Sequence, residues 1–224
     1  MRRRRRQPRR QPPAVARGGQ PRLRPLFDVL QLPRRSPLYP ELARALGAAS
    51  ALHVLHSDLE PVPVRATSTT SQSGCYRLRH GDPVDLRVSR RHDRIALSFL
   101  HEVGHFVDHQ LGHELGATWA SGQHEAFADW RTTVSQLPSR LPAGVGRSRR
   151  RYFNSSKELW ARSYAQSVLT RSADPTLQRV LADLIDRDDI FVWPAAEFEP
   201  VAEALARTFE LLGLLRGPGV AVAA

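Results

Sequence analysis

Apolar residues set two rhythms along this chain, and the change from one to the other falls near residue 93. From there Leu97, Leu100, Val103, Phe106, Val107 and Leu111 recur at intervals of three and four, a buried stripe that predicts a helix over 93–111. Asp93 is placed to cap its first turn, no proline interrupts it, and Gly112 stands where a C-terminal glycine would end it. Gly104 lies inside that helix at a cost of about 1 kcal/mol relative to alanine, which makes sense if something such as a neighbouring strand must approach the backbone closely. Helical periodicity then continues over 122–136, 155–170, 174–187 (Asp174 as cap, Pro175 first) and 196–214. Ahead of residue 93 there is one helix, 36–46, with Ser36 as cap and Pro37 first. Four short runs at 50–56, 62–66, 74–79 and 84–89 read as strands between turn-rich pieces. Strands first and helices after give an α+β fold, a small mixed sheet followed by a mainly helical C-terminal half. The strand at 84–89, just before the 93–111 helix, is the expected edge of a cleft to which an extended peptide could add.

The 93–111 helix carries the chemistry. It contains His101-Glu-Val-Gly-His105. Histidines four apart on a helix point the same way, so both imidazoles can reach one zinc ion at about 2.0–2.1 Å. Glu102 stands beside the first of them and can deprotonate a water that the metal activates. His109, eight residues after His101, is rotated about 80° away from it, and His109, His113 and His124 read as solvated surface or loop residues.

A catalytic zinc site usually takes three protein ligands, so one is missing from the pentapeptide. A third histidine six residues after the second would mark a metzincin, but that position is Leu111. The remaining candidates are carboxylates on a later helix. Glu158 lies fifty-three residues after His105, far enough for a second helix to cross the first, yet Ser155-Ser-Lys-Glu158 also reads as a capping box. Glu125 is the alternative ligand. Asp108, three residues after His105, is better placed to hydrogen-bond a neighbour than to join the metal. Arg162 follows Glu158 by four and can orient that carboxylate or pair elsewhere.

Composition changes this picture little. The 224 residues are 41% hydrophobic, enough for one core. The net charge of +11 suggests nucleic acid until it is located. Residues 1–35 hold twelve arginines and one acid, Asp28, while the other 189 residues hold twenty-one basic and twenty-one acidic side chains. The charge therefore belongs to a proline- and arginine-rich arm, 1–35, expected to be disordered and suited to weak non-specific contact with polyanions. Residues 36–216 form the expected domain, neutral and without an indicated basic groove, and 217–224 a flexible tail. A single lysine, Lys157, among thirty-three basic residues points to a coding bias, so arginine content alone says little about function. One cysteine, Cys75, excludes an internal disulfide and a multi-cysteine zinc site, and reads as a small buried hydrophobe. With neither a secretory signal nor a run long enough to span a membrane, a cytoplasmic protein is expected.

The residues HEVGHFVDH at 101–109 and SSKELWARSYA at 155–165 together resemble the gluzincin metallopeptidases related to anthrax lethal factor. They resemble still more the zincin-like peptidases of bacterial and phage genomes. The likeness covers 83 to about 170 and continues weakly through Phe191-Val-Trp-Pro and the helix from Glu197 to Leu215. It implies a zincin-like fold with 93–111 as the active-site helix. It also implies one Zn2+ held by His101, His105 and Glu158, Glu102 as the base, and a peptide or protein substrate. The lethal-factor-like enzymes place an oxyanion-stabilising tyrosine seven residues before the glutamate. Here that position is Arg151, and Tyr152, one residue closer, is the candidate. Two other expectations stand beside hydrolysis: a structural or binding module that keeps the fold without cleaving, and a polyanion-binding protein acting through its arm.

Overall fold

The computed structural model describes residues 23–56 and 60–215. In chain order the elements are β1 (Leu23–Arg24), α1 (Leu26–Val29), β2 (Leu30–Gln31), α2 (Tyr39–Leu52), β3 (Leu55–His56), β4 (Val62–Thr67), β5 (Gly74–Arg79) and β6 (Asp82–Ser89). Then come α3 (Ile95–Glu114), α4 (Ala120–Gln123), a 3-10 turn (Glu125–Phe127), α5 (Ala128–Ser135), α6 (Arg147–Phe153), α7 (Ser156–Arg171), α8 (Pro175–Asp186) and α9 (Ala195–Leu211). The architecture is α+β, as the two rhythms predict.

The main sheet has the order β2-β4-β6-β5, with β2, β4 and β6 parallel and β5 antiparallel to β6. Its inner face presents Val62, Val64, Leu86 and Val88, all buried. The strand expected at the cleft edge, 84–89, lies inside the sheet as β6. The edge is β5, because the tight turn at His80 and Gly81, both with positive φ, folds β6 back along it.

Helix α3 is buried on nearly every side, between the sheet, α2 and α7. It starts and stops differently from the expectation. Asp93 turns away to Arg187 at 2.7 Å, and Glu41 on α2 instead accepts from the Ala96 amide at 3.0 Å. The helix passes through Gly112 to Glu114, and Gly116, at φ +74°, supplies the left-handed residue beyond its end. Gly112 serves packing: a Cβ there would meet the Thr118 carbonyl oxygen at 2.8 Å. The helix expected at 36–46 starts later, at Tyr39 with Leu38 and not Ser36 at its cap, and ends later. Residues 48–52 are mostly alanine and leucine and continue α2 to Leu52, so the strand expected at 50–56 shrinks to Leu55–His56, with an isolated bridge from His53 to Leu215 before it.

Part of the basic arm is folded. Residues 23–35 supply β1, α1 and β2, and Leu26, Val29 and Leu30 enter the core, since this stretch carries the apolar side chains the preceding arginine run lacks. Residues 1–22 of the expected arm and the tail at 217–224 lie outside the described residues. Among the described residues no helix is long and apolar enough to cross a membrane.

Candidate metal centre

Two crossing helices build the site. His101 and His105 project from one face of α3, with ring centroids 4.7 Å apart, and Glu158 comes from the first turn of α7. Glu158 Oε2 lies 3.3 Å from His101 Nε2, and Oε1 lies 3.3 Å from His105 Nε2. The three donor atoms fall within 4.8 Å of one another, so the group could hold a metal ion. Glu158 is buried, yet its Oε1 has no hydrogen-bond partner among the described residues. A buried, unsatisfied carboxylate oxygen is costly unless something else binds it. A small divalent ion bound tetrahedrally at about 2.0–2.1 Å separates its ligand atoms by roughly 3.3 Å, and each imidazole lies at that distance from one Glu158 oxygen, a different oxygen for each. Burial opposes charge on Glu158, but the two imidazoles outweigh it and hold the carboxyl well below its usual range.

The crossing needs Gly104. A Cβ there would lie 2.9 Å from Ala161 Cα and 3.2 Å from the Ala161 carbonyl oxygen. The close neighbour is thus the helix α7, where a strand had been expected, and Trp160 Nε1 fastens the contact by donating to the Gly104 carbonyl at 3.1 Å. The capping-box reading of Ser155–Glu158 does not hold. Ser155 Oγ donates to the Tyr152 carbonyl, and the Glu158 side chain turns to the histidines. Glu125 is exposed in the 3-10 turn, outside the metal-competent group.

Glu102 is also buried, on the side of α3 that meets the edge strand. Burial pushes its carboxyl upward, partly offset by His101, His105 and the Tyr76 main-chain N–H that donates to it. It rests on Gly74, where a Cβ would sit 2.6 Å from Glu102 Oε1. Gly74→Ala should therefore displace the Glu102 carboxylate while leaving the three donors in place. We expect bound metal unchanged and any activity that needs Glu102 reduced at least tenfold, measured as metal content and turnover of the same preparation. Equal turnover in variant and parent would contradict this placement.

Tyr152, half exposed, lines the cleft near Glu158. Burial and then the Glu158 carboxylate raise its hydroxyl, which stays protonated and able to donate. Arg162 does not orient the Glu158 carboxylate. It donates to the Glu158 and Phe153 carbonyls, at 3.3 and 2.6 Å, and stacks on the Phe153 ring at 3.6 Å. Burial lowers its pKa to about 10, so it remains charged at neutral pH. The cleft beside the donors is about 250 Å³ and reaches Gln72, Arg94, Leu97 and Phe191.

Asp108 touches no ligand. It is fully buried and accepts from Ser121, from the amide at 2.7 Å and from Oγ at 2.6 Å, which ties α4 to α3. Burial, against those bonds, lifts its pKa to about 6. A raised folded-state value favours the fold fully below pH 3.8, and that contribution disappears as pH rises through 6. A carboxamide in place of the carboxyl could keep both contacts, accepting from the amide and donating to Oγ. We expect Asp108→Asn, compared with the parent in metal-free urea titrations, to gain about 3 kcal/mol of relative stability between pH 3 and pH 7. Parallel curves would contradict it.

His109 is buried, with Nδ1 3.0 Å from Tyr76 Oη, so its expected exposure is corrected: strand β5 covers that face of α3. His113 is exposed as expected, and half-buried His124 accepts from the Ala126 amide. Cys75 is only half-buried. Sequence reasoning missed Gly74 and the Tyr76 amide, and it assigned no neighbours to Lys157, whose Nζ lies 5.5 Å from the centre of both the Trp119 and Tyr152 rings. A glycine opening a strand that flanks the HEVGH helix is the one available signal for Gly74. No protein-family model, curated protein or solved structure matches this chain.

Proposed function

We propose that the protein is a zinc-dependent metallopeptidase with a zincin-like arrangement of its active helix and edge strand. The observation that carries this reading is the convergence of His101, His105 and Glu158 next to a separate buried carboxylate, Glu102, which is not one of the three donors. Three N/O donors and one further carboxylate are what hydrolysis by an activated water requires.

Bound zinc would supply a Lewis acid that polarises a carbonyl and acidifies water. The chain does the rest. Glu102, held by the Tyr76 amide against Gly74, accepts the proton of the attacking water and delivers it to the departing amine. Tyr152, protonated and beside the cleft, donates to the oxygen on which negative charge develops. Buried Arg162 fixes the start of α7 through the Phe153 and Glu158 carbonyls, and so keeps Glu158 in register with α3. The free edge of β5, last in the sheet, offers main-chain groups other than the Tyr76 amide to an extended substrate. The test is cleavage of a mixed-sequence peptide library by zinc-loaded protein, with Glu102→Gln as the inactive partner. Zinc binding with no cleavage by the parent would instead favour the silent structural module.

A further inference from the structure

The neutral charge of the domain conceals a segregation. Arg65 on β4, Arg77 on β5 and Arg87 on β6 share the outer face of the sheet, where all three converge on one carboxylate, Asp85, at 3.1, 2.6 and 3.4 Å. Asp85 is buried beneath them, so the face keeps an excess of positive charge. Beside it, a groove of about 600 Å³ runs between residues 33–37 and β4. Arg35, Arg65, Arg87 and Arg90 line it, and no acidic residue does among the described residues.

Two features indicate what would fill it. First, β2 pairs only with Val62 and Pro63, so from Val64 onward β4 is paired on one side only, among the described residues. A strand margin of this kind accepts an extended polypeptide through main-chain hydrogen bonds. Second, the groove leads to the metal centre. It shares Thr67 and Arg87 with a smaller hollow lined by Thr69, Gln72, Gly74 and Ser89, and that hollow shares Gln72 and Gly74 with the cleft holding His101, Glu102 and Glu158. A chain on the free margin of β4 and one on the free edge of β5 lie four strand spacings apart, roughly 19 Å, or about six residues of extended chain.

We propose that this groove docks an acidic segment of the polypeptide substrate, about six residues along the chain from the bond to be cleaved. The proposal rests on the peptidase reading for what happens in the cleft, but the docking can be measured without turnover. Guanidinium groups pair with carboxylates at close range and raise the capture rate of an acidic chain, an advantage that weakens with salt. Nucleic acid is the less suited occupant, because the four groove arginines have no aromatic platform among them for bases, and a strand margin offers duplex phosphates nothing particular.

The test uses full-length, zinc-loaded Glu102→Gln protein and two labelled peptides that differ only in a run of four Glu against four Gln, followed by fluorescence anisotropy. The Glu peptide should bind about tenfold tighter at 50 mM salt, and the advantage should shrink at 500 mM. Arg65→Gln with Arg90→Gln should remove most of it, while Arg77 and Arg87 still satisfy Asp85. Equal binding of the two peptides overturns the proposal. So does binding that survives the double substitution, which would assign it to the arginines of residues 1–22. Duplex DNA that binds tighter than the Glu peptide, and loses that affinity in the double variant, overturns it in favour of nucleic acid. Groove-dependent binding of the Glu peptide without cleavage by the parent would leave the docking site standing and reject the peptidase reading.

Discussion

Glu102→Gln should lower peptide cleavage by about 10³-fold or more and leave the zinc content unchanged. A positioned general base and acid contributes roughly 10²–10⁴-fold. In the proposed mechanism the same carboxylate serves both proton transfers, so the upper half of that range is expected. Glutamine has the same shape and can still accept from the Tyr76 amide, so the packing on Gly74 survives. Burial raises the Glu102 carboxyl, and metal charge opposite it would pull it back down; the proposed base would be tuned by these surroundings, and a neutral amide has nothing to titrate. The check is single-turnover cleavage alongside metal analysis of one preparation. A loss of both zinc and activity would make Glu102 a structural support of the site instead of its base.

The second large effect concerns Gly104. In an ordinary helix interior Gly→Ala gains about 1 kcal/mol. Here the sign should reverse. The added Cβ would stand 2.9 Å from Ala161 Cα and 3.2 Å from Tyr164 Cβ, and the first of these is backbone that cannot swing aside. Overpacking of this kind costs about 1–3 kcal/mol, and Val, with two further methyls and weaker helix propensity, should sit at or above the top of that range. The same separation would spread ligands that come from both helices, and metal sites tolerate only about 0.2 Å of error. We expect Gly104→Ala to be destabilising by about 1–2 kcal/mol and Gly104→Val by about 3 kcal/mol or more, each with zinc affinity lowered at least tenfold. Denaturant unfolding with and without zinc measures both. A more stable Ala variant would show that the helices have room, and that the glycine has another cause.

These two positions also show where the sequence could be read and where it could not. HEVGH announced itself because the helical period aligns two imidazoles, and that period depends on neighbours in sequence alone. Glu158 remained divided between ligand and cap on spacing, because the choice turns on how α7 crosses α3, which no local pattern encodes. Gly104 correctly signalled a close approach but named the wrong neighbour: a missing Cβ says that something is near, not what it is. Tyr76 was unreadable as a contributor, since its main-chain N–H does the work and any residue there has one. The residues just after the arginine run were misread for the opposite reason. Twelve arginines dominate the composition of 1–35, while Leu26, Val29 and Leu30 are few enough to vanish in an average and still fill the core beside α2. The neutral total over 36–224 hid a basic sheet face in the same way, because a sum of charges carries no information about where the strands put them.

The most direct measurement is the metal content of purified protein after dialysis against zinc, parent against Glu158→Ala, with His101→Ala and Glu102→Gln alongside. The three-donor site predicts one equivalent in the parent and in Glu102→Gln, and little or none in the other two. A full equivalent retained by Glu158→Ala would contradict it, because the ion would then be gripped by side chains other than the three that α3 and α7 bring together.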